Sequence, residues 1–134
     1  MHRAALRIII LILTVTGSNS FAQILASRVD EARFLQTTPE GLQYDQLLGP
    51  HIGDAMATCI PPGSTDPKNL GAFVYVSLVG QKGVQHSFAV EPDTVISTCF
   101  KSKFSGRVLP RPPKHQNKTD TFGYPIAIEM KVAP

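Results

Sequence analysis

The chain has 134 residues, 43% of them hydrophobic, and a formal net charge of +3. Two of its 13 basic residues, Arg3 and Arg7, lie in an N-terminal stretch with the form of a secretory signal, so the rest of the chain has a net charge of about +1. The remaining length suits one domain with a modest hydrophobic core. A charge this small argues against a globally cationic nucleic-acid or membrane binder.

We expect residues 1–22 to be a signal peptide. The two arginines precede an apolar run over 8–15, and Ser20 and Ala22 then offer small side chains at the two positions that signal peptidase reads. The run is shorter than the roughly 20 residues of a membrane-spanning helix, and an uncleaved N-terminal anchor is the alternative. The sequence therefore predicts a periplasmic or secreted protein without a membrane span after cleavage.

A helical segment is predicted to follow the signal, over residues 23–58. In its first part, residues 24–36, apolar side chains recur near helical spacing and charged side chains cover the other faces. Thr37, Thr38 and Pro39 are expected to end the helix after Gln36, because a residue that precedes a proline avoids the helical region.

The second part of this segment is predicted to contain a break. Gly49 and Pro50 separate a weak helix over 40–48 from a better one over 50–59. Seven of the eleven residues over 60–70 are turn formers, three of them prolines, which predicts a loop.

Two strands joined by a tight turn are predicted at the start of an α+β domain over 59–134. The strands, residues 73–78 and 84–90, alternate between two faces. Two glycines within residues 80–83 can supply the positive φ angles of the turn, and Pro92 ends the second strand. The two predicted faces of the first strand are Phe73, Tyr75 and Ser77, and Val74, Val76 and Leu78.

A third helix and a final strand complete the chain. Asp93 is expected to cap the helix, which runs to Phe104 with lysines in its last turns. An extension over 107–113, held by prolines, and a polar loop over 114–122 lead to a strand over 124–132. The predicted apolar stripe of the helix is Val95, Ile96, Cys99, Phe100 and Phe104.

Cys59 and Cys99 are the two cysteines of the chain. In an exported protein an even pair favours a disulfide, and Cys59 is expected to face inward at the end of the second helix. A bridge closing a loop of roughly 40 residues stabilises a protein by about 3–4 kcal/mol in the chain-entropy model. The alternative is a pair of buried, reduced thiols.

The order of these elements resembles a known family, the C-terminal domain of TonB-type energy transducers. It is more similar still to the AgmX/PglI-like relatives, which carry a cysteine in the helix before a short proline-rich segment. The similarity covers roughly residues 59–132, and its matching segments are 74–90, 91–94 (EPDT), 95–104, 109–113 (LPRPP) and 126–132.

This resemblance implies an α+β fold: a three-stranded antiparallel sheet with a ββαβ core, packed against helix, to which the sequence adds N-terminal helices and one disulfide. It also implies binding to other periplasmic proteins through a sheet edge or a helix face. A transducer has an N-terminal membrane anchor and a long proline-rich spacer. This sequence has a cleavable-type signal and no such spacer, so energy transduction is not expected.

No catalytic constellation is recognisable in the sequence. The histidines after the signal, His51, His86 and His115, lack metal-ligand spacing, and His86 is expected to be an exposed strand residue. There is no nucleophile elbow, and a disulfide would remove the thiol of Cys99 as a nucleophile. We therefore predict a non-enzyme without catalytic, cofactor-binding or metal-binding residues; a small hydrolase that uses Cys99 and His86 is the alternative.

The strongest surface signal is a basic patch. Between Thr94 and Thr119 the sequence has six basic side chains and no carboxylate. They are Lys101, Lys103, Arg107, Arg111, Lys114 and Lys118. Such a patch attracts an acidic partner or an anionic envelope surface, whereas the ordinary alternative is a solvated helix end and loop.

These observations predict an exported, non-catalytic protein–protein interaction module that binds a periplasmic or envelope protein. An immunity protein or inhibitor that blocks an exported enzyme or toxin is the alternative function. Nucleic acid is not expected as a partner, because the compartment is wrong and the aromatic residues of the basic segment have the spacing of buried side chains.

Overall fold

A computed structural model of the chain describes residues 21–60, 71–114 and 123–132. The predicted signal peptide except its last two residues, the predicted loop over 60–70 except Ile60, and most of the polar loop before the last strand lie outside the described residues. The helices are α1 (Phe21–Gln36), α2 (Pro39–Ala57) and α3 (Val95–Phe104), and the strands are β1 (Gly71–Val79), β2 (Gln85–Glu91) and β3 (Tyr124–Val132).

The three strands form one antiparallel sheet in the order β2-β1-β3. The central strand β1 pairs with β3 along its whole length, from Gly71 opposite Val132 to Val79 opposite Tyr124, and with β2 on its other side. This arrangement confirms the predicted α+β class, with a three-stranded antiparallel sheet, N-terminal helices and one disulfide. The helix predicted over 24–36 is confirmed as α1.

Both faces of the sheet are buried, because helices pack on each side. On one face Phe73, Tyr75 and Val79 join the main core together with side chains of α2 and α3. On the other face Val76 and Ala127 form a smaller cluster with side chains of α1. The alternation predicted for β1 is therefore confirmed, and its two apolar faces match a sheet that is covered on both sides.

Aromatic rings fill the space between β1 and α3. Phe100 and Phe104, one turn apart on α3, stack with their ring centres 5.1 Å apart. The ring of Tyr75 lies edge-on to both, at 5.4 and 5.2 Å, and Phe73 lies 5.6 Å from Phe100. Each such pair contributes about 0.5–1.5 kcal/mol beyond apolar burial, so these rings hold α3 against the sheet.

Helix α2 is continuous, which corrects the predicted break at Gly49 and Pro50. A proline inside a helix removes one main-chain hydrogen bond and costs about 3 kcal/mol. The helix nevertheless buries side chains in the same core before and after the proline, including Tyr44 and Met56. Burial of large apolar side chains at about 1.5–3 kcal/mol each outweighs the local cost.

The residue that caps α3 is Thr94, which corrects the prediction of Asp93. Thr94 Oγ1 accepts a hydrogen bond from the Ser97 N–H at 3.1 Å, and Ser97 Oγ accepts one from the Thr94 N–H at 2.8 Å. Asp93 instead accepts from Thr98 Oγ1. Val95, the first residue of the helix, is 67% exposed and so does not belong to the predicted apolar stripe.

A disulfide joins Cys59 and Cys99, whose Cα atoms are 5.7 Å apart. This confirms the predicted bridge. Cys59 is buried just after the end of α2, as expected, and Cys99 lies on α3. The bridge therefore ties α3 to the end of α2, on the face of the sheet that carries the main core.

The turn between β1 and β2 is held by a segment that follows α3. The Leu109 N–H donates to the Gly83 carbonyl at 2.9 Å. Gly83 has a φ of +85°, and a Cβ atom at this position would lie 1.9 Å from the Leu109 carbonyl oxygen. Glycine is therefore required here both by the turn and by the close approach of the two backbones.

Replacing Gly83 by alanine is expected to lower the free energy of unfolding by about 2–3 kcal/mol, because the left-handed φ and the close approach both penalise a side chain. Gly53→Ala is the control, since Gly53 lies within α2 and a Cβ atom there meets nothing within 4 Å. It should raise the free energy of unfolding by about 0.5–1 kcal/mol. Urea denaturation measures the free energy of unfolding of both variants. The same change in both would contradict the close approach of the Gly83 and Leu109 backbones.

Candidate functional site

Two lysines of the predicted basic patch lie on different sides of α3. Lys101 and Lys103 are two residues apart, so they are separated by roughly 200° around the helix axis. Lys101 is half-buried and lines a groove beside β2. Lys103 is exposed. The helix therefore does not present these two charges on one face.

The other cations of the patch follow α3. Arg107 lies 3.7 Å from Asp54 of α2, and Nε of Arg111 donates to a carbonyl of the β1–β2 turn at 3.2 Å. Lys114 is exposed, and Lys118 lies outside the described residues. The ion pair of Arg107 is at the surface, where such pairs contribute about 0–1 kcal/mol. A partner can displace a contact this weak, and the binding role of the patch stays a prediction.

The outer edge of β2 forms an open groove. β1 lies on one side of β2, and among the described residues no strand pairs with its other side. A groove of about 430 Å³ runs beside this edge, between the strand and α3. It is lined by Phe88, Ala89, Val90, Glu91, Asp93 and Lys101. The groove thus combines the main chain of an edge strand with an aromatic ring and charges of both signs.

A β-bulge in β2 lies next to the aromatic residue of this groove. Gln85 and Val90 are both buried in the core although they are an odd number of residues apart, which requires one extra residue in the strand. At the register shift Ser87 adopts a left-handed φ of +55°. Phe88, the next residue, is 41% exposed. The neighbouring His86 is exposed, as predicted.

Each outer edge of the sheet has one side-chain contact to a main-chain carbonyl. Nε2 of Gln36, the last residue of α1, donates to the Ala127 carbonyl at 3.2 Å, and Pro125 has no N–H to offer. At β2 the comparable contact runs from Arg28 Nη1 to the Ser87 carbonyl at 2.6 Å, which is at the bulge. Residues 88–91 of β2 follow this contact, and among the described residues no strand pairs with their outer side.

The side chain of Gln85 is the centre of a buried hydrogen-bond network that was not predicted from the sequence. Its Oε1 accepts from the Tyr75 hydroxyl at 2.7 Å and from Ser77 Oγ at 2.9 Å. Its Nε2 donates to the carbonyls of Phe104 at 2.8 Å and Arg107 at 3.3 Å. The amide thereby attaches the end of α3 to the sheet. The signal in the sequence was the pair of hydroxyls on an otherwise apolar strand face, because buried hydroxyls need partners.

The buried tyrosines act as structural hydrogen-bonding groups. Burial, assisted by the nearby Asp45, raises the pKa of Tyr124 to about 12, and burial also raises the pKa of Tyr44 and Tyr75. The Tyr44 hydroxyl donates to the Pro110 carbonyl at 2.9 Å. These phenols stay protonated at physiological pH. They therefore suit a role as fixed hydrogen-bond donors better than a role in proton transfer.

The part of the chain that the structure describes has no group of three or more His, Cys, Asp or Glu side chains that could hold a metal ion. Within the same residues, no helix has both the length and the apolar character to cross a membrane. Comparisons with protein-family models, with curated proteins and with solved structures give no match to this chain.

Proposed function

We propose that this chain is an exported, non-catalytic protein-binding module that pairs an extended segment of its partner with the outer edge of β2. The observation that carries the proposal is the open groove along residues 88–91. In strand addition, main-chain hydrogen bonds supply affinity, and pockets for alternate side chains supply selectivity. The resemblance to TonB-type C-terminal domains, which implies binding through a sheet edge or a helix face, agrees with this mode.

Two side chains in the groove suit recognition of a polypeptide. Phe88 offers an exposed aromatic ring, and aromatic anchors often dominate the binding energy of an interface. Lys101 has no ion pair among the described residues, so it is available to a carboxylate of the partner. Glu91 and Asp93 in the same groove disfavour a segment that is acidic throughout. The groove therefore favours a partner segment with one well-placed acidic residue.

The bridge between Cys59 and Cys99 supports export. Disulfides persist in the periplasm and outside the cell, and they are rare in the cytosol, where thiols are kept reduced. Together with the signal-like N-terminal stretch, this favours a periplasmic or secreted module whose partner is a periplasmic or envelope protein.

Photo-crosslinking in the cells that make the protein tests where a partner binds. A benzoylphenylalanine residue would replace Phe88, or Phe34 as the matched control. Phe34 is 68% exposed on α1, so a crosslink that depended on exposure alone would form there more readily. We expect a discrete protein adduct at position 88 and none at position 34. Equal adducts at both positions, or none at position 88, would contradict the proposal.

Charge reversal in the groove then tests the captured partner. Lys101→Glu is expected to weaken binding about tenfold, because a partly desolvated ion pair is replaced by repulsion. Lys82→Glu, in the exposed β1–β2 turn, is the control and should have little effect. Equal weakening by both variants would indicate a non-specific charge effect. If the captured partner is an enzyme that loses activity on one-to-one binding, the module is an inhibitor.

A further inference from the structure

A second pocket lies at the opposite edge of the sheet, beside β3. Helix α1 packs on one face of the sheet and α2 on the other, so the short connection between them passes around this edge. The two helices and the strand leave a pocket of about 200 Å³ between them. Its aliphatic walls are Leu48, Ile52, Ile126, Ala127 and Ile128.

The walls of this pocket are part of the core. Leu48, Ile126 and Ile128 belong to the main hydrophobic cluster, and none of them is more than 8% exposed. Core side chains are close-packed and hold one arrangement, so the pocket exists before a ligand arrives. It is smaller than the roughly 300–1,000 Å³ of a typical small-molecule site, and its size suits a single long side chain.

Two polar side chains, Asp45 and Gln36, complete the lining. Each has an oxygen atom available to accept a hydrogen bond. The half-buried carboxylate of Asp45 has no hydrogen bond or ion pair among the described residues. Burial raises the pKa of this carboxyl, as expected where no cation compensates its charge. Gln36 directs its Nε2 to the Ala127 carbonyl, which leaves its Oε1 as a second acceptor.

We propose that this pocket binds a lysine side chain of a partner protein. The methylene groups of lysine match the aliphatic walls, and its ammonium group can donate to the Asp45 carboxylate and to Gln36 Oε1. Arginine fits less well, because its planar guanidinium favours a wider, bidentate acceptor. The pocket and the β2 groove lie at opposite edges of the sheet, so this proposal does not depend on the one made for β2.

An NMR titration of the isotopically labelled chain tests the assignment. The probes are N-acetyl-lysine methylamide, its arginine counterpart and its norleucine counterpart, which keeps the aliphatic stem and lacks the ammonium group. We expect the lysine probe to shift the amide signals of residues 126–128 with a millimolar dissociation constant. The norleucine probe should bind at least about tenfold more weakly. In Asp45→Asn the two probes should bind equally weakly.

Asp54→Asn is the matched control, because it removes the same charge from the same helix at a residue outside the pocket. It should leave the affinity for lysine within about twofold, and thermal melting shows that both variants fold. Norleucine binding as tightly as lysine would assign the pocket to an apolar side chain. Tighter binding of the arginine probe would assign the pocket to a guanidinium group. Shifts confined to residues outside the pocket would show that the lysine probe does not bind there. Each of these three results overturns the proposal.

Discussion

Replacing Gln85 by leucine is expected to lower the free energy of unfolding by about 3–5 kcal/mol, a large part of the total for a small domain. Leucine leaves the hydroxyls of Tyr75 and Ser77 without their acceptor, and the carbonyls of Phe104 and Arg107 without their donor. Each buried polar group that loses its partner costs about 1–3 kcal/mol. Urea denaturation of the folded chain measures the change.

Two further variants separate the hydrogen-bond network from the change of side chain. Gln43→Leu, at an exposed position of α2, should change the free energy of unfolding by less than about 0.5 kcal/mol. Adding Tyr75→Phe to Gln85→Leu should recover part of the loss, because it removes one hydroxyl left without a partner. A loss below about 1 kcal/mol for Gln85→Leu alone would contradict the buried network.

Removing the bridge between Cys59 and Cys99 by paired alanine substitutions is expected to cost about 4 kcal/mol. The two cysteines are 40 residues apart in sequence, and the chain-entropy model gives about this value for a loop of that length. The loop contains β1, β2 and the first turn of α3, so the bridge restricts the unfolded chain around the centre of the fold. Urea denaturation of the wild-type and variant chains, without reductant, measures the difference.

The wild-type chain supplies its own control for this prediction. Reductant should destabilise it by the same amount as the substitutions and should leave the double alanine variant unchanged. Titration of thiols in the denatured, non-reduced chain is the direct check. Two reactive thiols would contradict the bridge.

Local sequence patterns were sufficient to predict the three strands and the helices α1 and α3. The alternation in β1 assigned its residues to the correct faces, because the side-chain period of a strand is two. It also put large apolar side chains on both faces, such as Tyr75 on one and Val76 on the other. That pattern matches the sheet observed, with α1 on one side and α2 and α3 on the other.

The errors lie where local preference and tertiary packing disagree, or where two local signals compete. Pro50 has a strong local tendency to interrupt a helix, yet residues on both sides of it are buried in the same core. At the start of α3, Asp93 and Thr94 are both good capping residues. The serine at position 97 decides between them, because it completes the reciprocal pair of hydrogen bonds with Thr94.

The candidate sites were not predictable from the sequence, because residues far apart in the chain form each of them. The β2 groove combines residues 88–91, which follow a bulge at Ser87, with a lysine of α3. The pocket beside β3 brings Asp45 of α2 next to the last strand. The sequence did identify Lys101 as a candidate binding residue, but the predicted patch grouped it with Lys103, which lies on a different side of the helix.

Hydrogen exchange with the crosslinked partner bound is the most direct test of edge binding. A strand added to β2 makes hydrogen bonds to the outward-facing main-chain groups of residues 88–91, so amides there are expected to exchange more slowly in the complex than in the free chain. The basic segment over 103–114 should change little. Protection confined to that segment, with residues 88–91 exchanging as in the free chain, would contradict binding at the β2 edge.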